Sequence, residues 1–355
     1  MNKIYAFILA LVVPLNVSSE ELFIYNWSDY IAEDTISNFE AETGIKVTYD
    51  MYDSNEVLEA KLLAGNSGYD LVFPSGSFME NQINAGVYQK IDKSLLTNIG
   101  NLDPVILEKV DAHDPGSEYS VVYMYGTTGI GYNEDEVEAR GGNVDSWDII
   151  LNPDEVSKFA DCGVAILDAP SEVVEIALNY LGYDPNTEST KANNEALELL
   201  KQIRPYVKYF DSSQYIDDLA NGEICLAMGW SGDVFYAADT AADDVSLWYS
   251  VPSEGTVIWF DMMGIPADAK NVENAHKFID YILRPEVVAE ITNYVWYSNP
   301  NLVANNSGLI DEEILEDPAI YPTDDVLEIL FGDTADSPQK SRISSRIFNS
   351  FKASQ

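Results

Sequence analysis

From residue 20 onward, short apolar runs rich in aromatic and β-branched residues take turns with stretches whose apolar positions recur every three or four residues. The first pattern marks strands and the second marks helices. Residues 22–25 read as a strand, 32–43 as a helix stopping at Gly44, 45–49 as a strand, 55–64 as a helix stopped by Gly65, and 69–73 as a strand ended by Pro74. This βαβαβ order predicts a parallel sheet covered by helices. Further along, strands are expected at 121–125 and 129–133, joined by Gly126-Thr127-Thr128, and at 163–167 and 224–228. Helices are expected at 172–181, ended by Gly182, and at 192–203, before Pro205. Residues 257–260 and 262–265 read as a strand broken at Asp261, followed by helices at 272–283 and 285–295, the second opening on Pro285.

Residues 1–19 follow a different pattern. A short basic start at Lys3 leads into an apolar run over 4–15, broken by Pro14, and small residues Val17-Ser18-Ser19 precede Glu20. The run is too short to span a bilayer and reads as a signal peptide cut after Ser19, so the mature chain is expected to be exported and soluble. At 355 residues the chain is long enough for two domains. Glycine-flanked stretches near 126–131 and 250–256 read as crossings between two lobes, with 20–126 and 250–297 forming lobe 1 and 127–249 and 298–355 forming lobe 2. In open α/β sheets, ligands collect beyond the carboxyl ends of the strands. Residues 26–30, 74–78, 168–172 and 229–233 each follow a different strand, so all four segments are expected at one crevice.

The formal charge of −41, from 60 acidic and 19 basic side chains, excludes a general nucleic-acid binder and favours cationic partners. Most of these acids read as a solvated surface. Two cysteines, Cys162 and Cys225, suit one disulfide in an oxidising compartment, the alternative being two buried free thiols. The bridge would contribute about 4 kcal/mol on the chain-entropy model. The two histidines, His113 and His276, are far apart and no EF-hand spacing occurs, so neither a metal site nor a cofactor is expected. No Gly-x-Ser-x-Gly elbow and no phosphate loop is present.

Three tryptophans each precede an aspartate closely, in Trp27-Ser28-Asp29, Trp230-Ser231-Gly232-Asp233 and Trp259-Phe260-Asp261, and each pair follows a short apolar run that reads as a strand. An aromatic face beside a carboxylate suits an organic cation: the ring covers methylenes and attracts positive charge, and the carboxylate accepts ammonium hydrogen bonds. Asp29, Glu172, Asp233 and Asp261 are the charged candidates, Trp27, Trp230, Trp259 and Tyr297 the aromatic ones, and Ser28, Ser75 and Ser77 the polar ones. Plainer roles exist for each: helix capping for Asp29, a macrodipole partner for Glu172, a turn for Asp233, core packing for the rings. Asp261 resists such a reading, because an acid inside an apolar run is costly to bury. Paired acids could also belong to a secreted carbohydrate hydrolase, though nothing singles out an acid/base pair.

The residues 24–31 (Ile-Tyr-Asn-Trp-Ser-Asp-Tyr-Ile), Glu42-Thr43-Gly44-Ile45-Lys46-Val47, residues 127–133, Asp145-Ser146-Trp147-Asp148 and Leu167-Asp168-Ala169-Pro170 resemble the periplasmic polyamine-binding proteins of bacterial ABC transporters, and among them the putrescine-preferring branch. The resemblance spans nearly the whole mature chain. It implies a two-lobed type II periplasmic-binding-protein fold, each lobe a mixed α/β sheet flanked by helices, closing on a ligand in the cleft between lobes. It also implies a periplasmic, monomeric, non-enzymatic receptor whose partners are putrescine or another polyamine and a membrane permease. Under the same resemblance Trp27, Ser28, Asp29, Ser75, Ser77, Glu172, Trp230, Asp233, Trp259, Asp261 and Tyr297 are the ligand-binding positions, and Cys162 and Cys225 fall where the branch has its disulfide. Asp233 and Ser77 look like the putrescine branch, whereas Trp259 looks like the spermidine branch. Ser171 and Gly76 also depart from the pattern, which leaves a spermidine-preferring or broad polyamine binder as the alternative.

Overall fold

The computed structural model describes residues 20–332 and 334–354; the predicted signal peptide lies outside them. Among the described residues, ten strands form one continuous sheet: β1 (Glu21–Trp27), β2 (Lys46–Tyr52), β3 (Leu71–Val72), β4 (Ser120–Asn133), β5 (Val164–Ile166), β6 (Tyr209–Phe210), β7 (Leu226–Trp230), β8 (Leu247–Ser250), β9 (Val257–Gly264) and β10 (Phe331–Gly332). The path is β2-β1-β3-β9-β4-β7-β5-β6, with β10 beside β9 and β8 beside β4. β1 pairs in parallel with β2 and β3, as the βαβαβ order predicts, and the β5–β6 and β5–β7 pairs are also parallel. The central pairs β3–β9, β4–β9 and β4–β7 are antiparallel. The sheet is therefore mixed, and β4 belongs to both of its ends.

Two expected strand breaks are absent. Residues 121–133 form one strand rather than two, because Gly126-Thr127-Thr128 passes from one set of partners to another without leaving the ladder: Thr127 faces Ile258 of β9 and Thr128 faces Trp230 of β7. Likewise β9 runs unbroken through Asp261, all eight of its residues buried. An ionisable group tolerates such a place only when hydrogen-bonded, and Ser75 Oγ donates to Asp261 Oδ1 at 2.7 Å.

The helices that carry site residues begin at the ends of strands. Helix Pro170–Tyr180 starts two residues earlier than expected, since proline suits the first helical position. Helices Gly76–Asn84 and Ser231–Asp239 follow β3 and β7, and their weak sequence periodicity hides both. Helix Pro285–Val295 begins on Pro285 as expected, and Gly44 closes helix Thr35–Thr43. The C-terminal helix Pro338–Ala353 packs on Pro170–Tyr180 through a buried ion pair, Lys340 to Glu175, which Asp336 and Asn186 also join at 2.8 and 2.6 Å. Removing one member of such a pair strands a buried charge, so this helix anchors the element that bears Glu172. Cys162 and Cys225 are bonded, linking the approach to β5 with the start of β7 across 63 positions.

Residues 298–301 return to the first end of the sheet: Ser298 bridges Tyr125, Asn301 bridges Leu102, and Asp103 N–H donates to Pro300 O at 2.7 Å. No helix among the described residues is long and apolar enough to cross a membrane.

Candidate functional site

A cleft opens where β1, β7 and β9 converge, lined by Trp27, Ser28, Tyr30, Ser75, Glu172, Trp230, Asp233, Trp259, Asp261 and Tyr297. Its tryptophans are fixed by backbone and neighbours. Trp27 Nε1 donates to Phe73 O at 2.8 Å, its ring lies 4.7 Å from that of Tyr52, and its edge meets Trp230 from the other end of the sheet at 5.6 Å and 74°. Trp259 and Tyr297 meet edge to face at 5.4 Å, and Tyr297 meets Tyr30 at 5.1 Å. Two glycines make this packing possible. A Cβ on Gly126 would come within 2.8 Å of the Trp259 ring, and one on Gly232 within 2.4 Å of the Tyr297 ring.

Each carboxylate is held differently. Asp261, in β9, accepts from Ser75 Oγ, whose place is set in turn by Asn55: Asn55 Nδ2 donates to Ser75 Oγ at 2.9 Å, and Ser75 N–H donates to Asn55 Oδ1 at 3.0 Å. Glu172 Oε2 accepts from Thr128 Oγ1 at 2.5 Å and from Trp230 Nε1 at 3.1 Å. Asp233 accepts from Tyr215 OH at 2.7 Å and from Tyr297 OH at 2.6 Å, while its own N–H donates to Tyr297 OH at 3.1 Å. Glu172 and Asp233 lie in the first turns of helices, where the macrodipole favours negative charge.

Desolvation outweighs these donors. Burial pushes the Glu172 carboxyl up to about 7, against the lowering effect of Thr128 and Trp230, with Glu56 and Asp261 adding repulsion. Burial likewise pushes Asp233 up to about 7, against Tyr297 and Tyr215, with Asp29 adding repulsion. The phenol of Tyr30 is held well above its usual range, first by burial and then by the Asp261 carboxylate. A cation entering the cleft would relieve the cost of charging every acid at once. The arrangement offers carboxylates at separate points and aromatic faces between them, which suits binding; no nucleophile–base pair emerges from the bonds described.

Residues 34–322 match the family model of the bacterial extracellular solute-binding proteins. The chain is 50% identical over 351 residues to the putrescine-binding periplasmic protein PotF of Escherichia coli strain K12, covering 96% of this chain and 94% of that one. It is 52% identical to the putrescine-binding periplasmic protein SpuD of Pseudomonas aeruginosa, covering 87% and 86%. The chain belongs to the bacterial extracellular solute-binding proteins. Among solved structures, the spermidine/putrescine ABC transporter substrate-binding protein PotD of Streptococcus pneumoniae superposes with a TM-score of 0.76 at 31% identity, covering 94% of this chain and 99% of that one. The fold of this solute-binding protein is thus the type II periplasmic-binding-protein fold, and its relatives named here are binding proteins.

Nine of the eleven predicted site residues line the cleft: Trp27, Ser28, Ser75, Glu172, Trp230, Asp233, Trp259, Asp261 and Tyr297. Two lie outside its lining. Asp29 is exposed, in a left-handed turn with φ 52°, and desolvation, followed by the Asp217 carboxylate, raises its carboxyl. Ser77 is buried in the first turn of Gly76–Asn84 and faces a neighbouring hollow with Glu59, Asn81 and Asp336. Tyr30 lines the cleft without having been among the expected residues. It follows Trp27-Ser28-Asp29 directly, so the turn after β1 is the available signal. The hydroxyl of Ser213, outside the lining itself, meets that of Ser28 at 3.2 Å.

Proposed function

We propose that this protein is a periplasmic receptor that captures putrescine or a related polyamine and delivers it to the permease of an ABC transporter. The observation that carries the reading is the convergence of Asp261, Asp233 and Glu172 with Trp27, Trp230 and Trp259 on one cleft. Carboxylates at separate points suit a ligand with ammonium groups at both ends, and the rings suit the alkyl chain between them. Burying four methylenes against those rings would contribute roughly 3 kcal/mol. The names of the relatives support the ligand class: two bind putrescine, and one is a spermidine/putrescine transporter component.

In this reading residues 1–19 are a signal peptide and the mature chain works as a monomer that turns nothing over. The sequence divides it into 20–126 with 250–297 and 127–249 with 298–355; the bonds of residues 298–301 to Leu102, Asp103 and Tyr125 favour moving the last boundary so that 298–301 stay with the first lobe. Capture closes the lobes as a hinge. Ser28 and Trp27 touch Ser213 and Trp230 across the cleft, which fits a closed form. Trp259 keeps longer amines in play. Calorimetric titration with putrescine, cadaverine, spermidine and agmatine is the test: saturable one-to-one binding of putrescine is expected, and heat from none of the four would sink the reading.

A further inference from the structure

The strand that joins the two ends of the sheet also touches the ligand site. Residues 120–127 of β4 register on β9, and residues 128–132 register on β7. The exchange of partners falls between Thr127 and Thr128. Thr128 is wholly buried, and its atoms serve three elements. Its carbonyl accepts a hydrogen bond from the Thr256 hydroxyl, which lies in the second crossing between β8 and β9. Its hydroxyl donates to Glu172 Oε2. Its cross-strand partner Trp230 donates an indole N–H to the same oxygen. A threonine hydroxyl has one proton to give; giving it to Glu172 fixes the rotamer of both side chains.

We propose that Thr128 is a positioning residue, the point at which the crossing strand aims the Glu172 carboxylate into the cleft for a cationic ligand. This rests on the cation-receptor reading above. The charged groups that act on Glu172 include Glu56, from helix Asn55–Leu63, and Asp261, from β9, both acids; Tyr249 of β8 is a further ionisable neighbour. Among the described residues, Thr128 and Trp230 oppose that repulsion. A hydrogen bond to an ionised carboxylate is stronger than one to a neutral carboxyl, so Thr128 favours the charged form, and its removal lets Glu172 protonate more readily. Because Thr128 is tied to Thr256 as well, the aim of the carboxylate is set where both crossings meet, and closure brings Asp261 and Trp27 up to an acid already in position.

The test is calorimetric titration of putrescine into the full chain between pH 5.5 and 8.5 for wild type, Thr128→Val and Thr128→Ser. Thr128→Val is expected to weaken binding about tenfold or more near neutral pH and to move the pH midpoint of affinity upward, while Thr128→Ser restores both. In a Glu172→Gln background, Thr128→Val should cost nothing further, because the two residues act as one unit. Thermal melts check folding, and Thr128→Ala serves as a second hydroxyl-free variant if the valine protein does not fold. Wild-type affinity and pH midpoint in the hydroxyl-free variants would overturn the proposal. A serine variant as damaged as the valine one would do the same, and so would a full Thr128→Val loss persisting in the Glu172→Gln background. A wild type that binds no polyamine overturns the receptor reading instead, before any variant is made.

Discussion

The two ends of the cleft are built by different means. At the Asp261 end the acid sits in the middle of a buried strand, and its support, Ser75 with Asn55, comes from the same end of the sheet. That end is complete before any closure. At the other end Asp233 takes one phenol from Tyr215, on its own side, and one from Tyr297, which packs against Tyr30 on the opposite side. Glu172 is held by Thr128 and Trp230 from its own side, so what closure adds at this end is the second phenol on Asp233 and the Trp27 edge against Trp230. The contrast separates two tasks. A preformed end can engage one ammonium group on encounter, and an end that closure assembles can report whether a second one is present.

The strongest way to break that contrast is Asp261→Asn. The preformed carboxylate should supply the larger share of affinity, since losing one partner of a buried, hydrogen-bonded charge pair costs about 3 kcal/mol or more, a drop of over a hundredfold in putrescine affinity by calorimetry. A loss below tenfold would mean that the Asp261 end does not anchor the ligand. The second test is pH. Burial pushes Glu172 and Asp233 up to about 7, from 4.5 and 3.8. Both must ionise to meet a dication, so affinity should fall as pH drops from 8 to 6, by about tenfold for each carboxylate. Stability of the ligand-free protein should run the other way. A raised carboxyl favours folding below its unfolded value and withdraws that support as pH rises through the folded value, so the apparent Tm without ligand should decline between about pH 4 and pH 7. Flat affinity across this range would place both acids outside the ligand's reach.

Much of this is legible in the residues. The βαβαβ start is written in alternating periods, and Asp261 declares itself as an acid inside the apolar run Val257–Gly264. The Trp–Asp pairs name both ends of the cleft. The two missing strand breaks share a cause: Gly126 and Asp261 look like breakers in the sequence, yet both stay in the ladder with partners distant along the chain, Gly126 in register with Trp259 of β9 and Asp261 bonded to Ser75. Asp29 and Ser77 suggest themselves by neighbourhood. Each adjoins or shares a turn with a true lining residue, but a left-handed turn at Asp29 and one step of helix at Ser77 direct them elsewhere. Sequence shows which segment reaches a site, and the backbone angle at each residue decides which side chain enters it. Tyr30 lines the cleft for the same reason that Asp29 does not.

Asp233→Asn sharpens the contrast further. At pH 7 this carboxyl is near its midpoint, so its loss should cost less than that of Asp261, on the order of tenfold in putrescine affinity. The decisive reading is the pH profile, which should lose one of its two ionisations and become shallower, leaving the step that belongs to Glu172. If the profile keeps both steps, the ionisation assigned to Asp233 belongs to another group.

The smallest effect is expected from Asp29→Asn. Asp29 is exposed and outside the cleft lining, yet its charge acts on Asp233 and so belongs, at a distance, to the end that closure assembles. Two consequences oppose one another. Removing a negative charge weakens the attraction for an arriving cation, while easing the repulsion on Asp233 lets that acid ionise at lower pH. Exposed charges contribute between nothing and about 1 kcal/mol, so the net change in affinity at pH 7 should stay below about fivefold. The association rate should fall slightly at low ionic strength, and that difference should vanish in salt, where screening shortens the reach of an exposed charge to about 10 Å or less. A loss beyond tenfold that persists in salt would show that Asp29 turns inward on the bound ligand, and the assembled end would then hold three carboxylates rather than two.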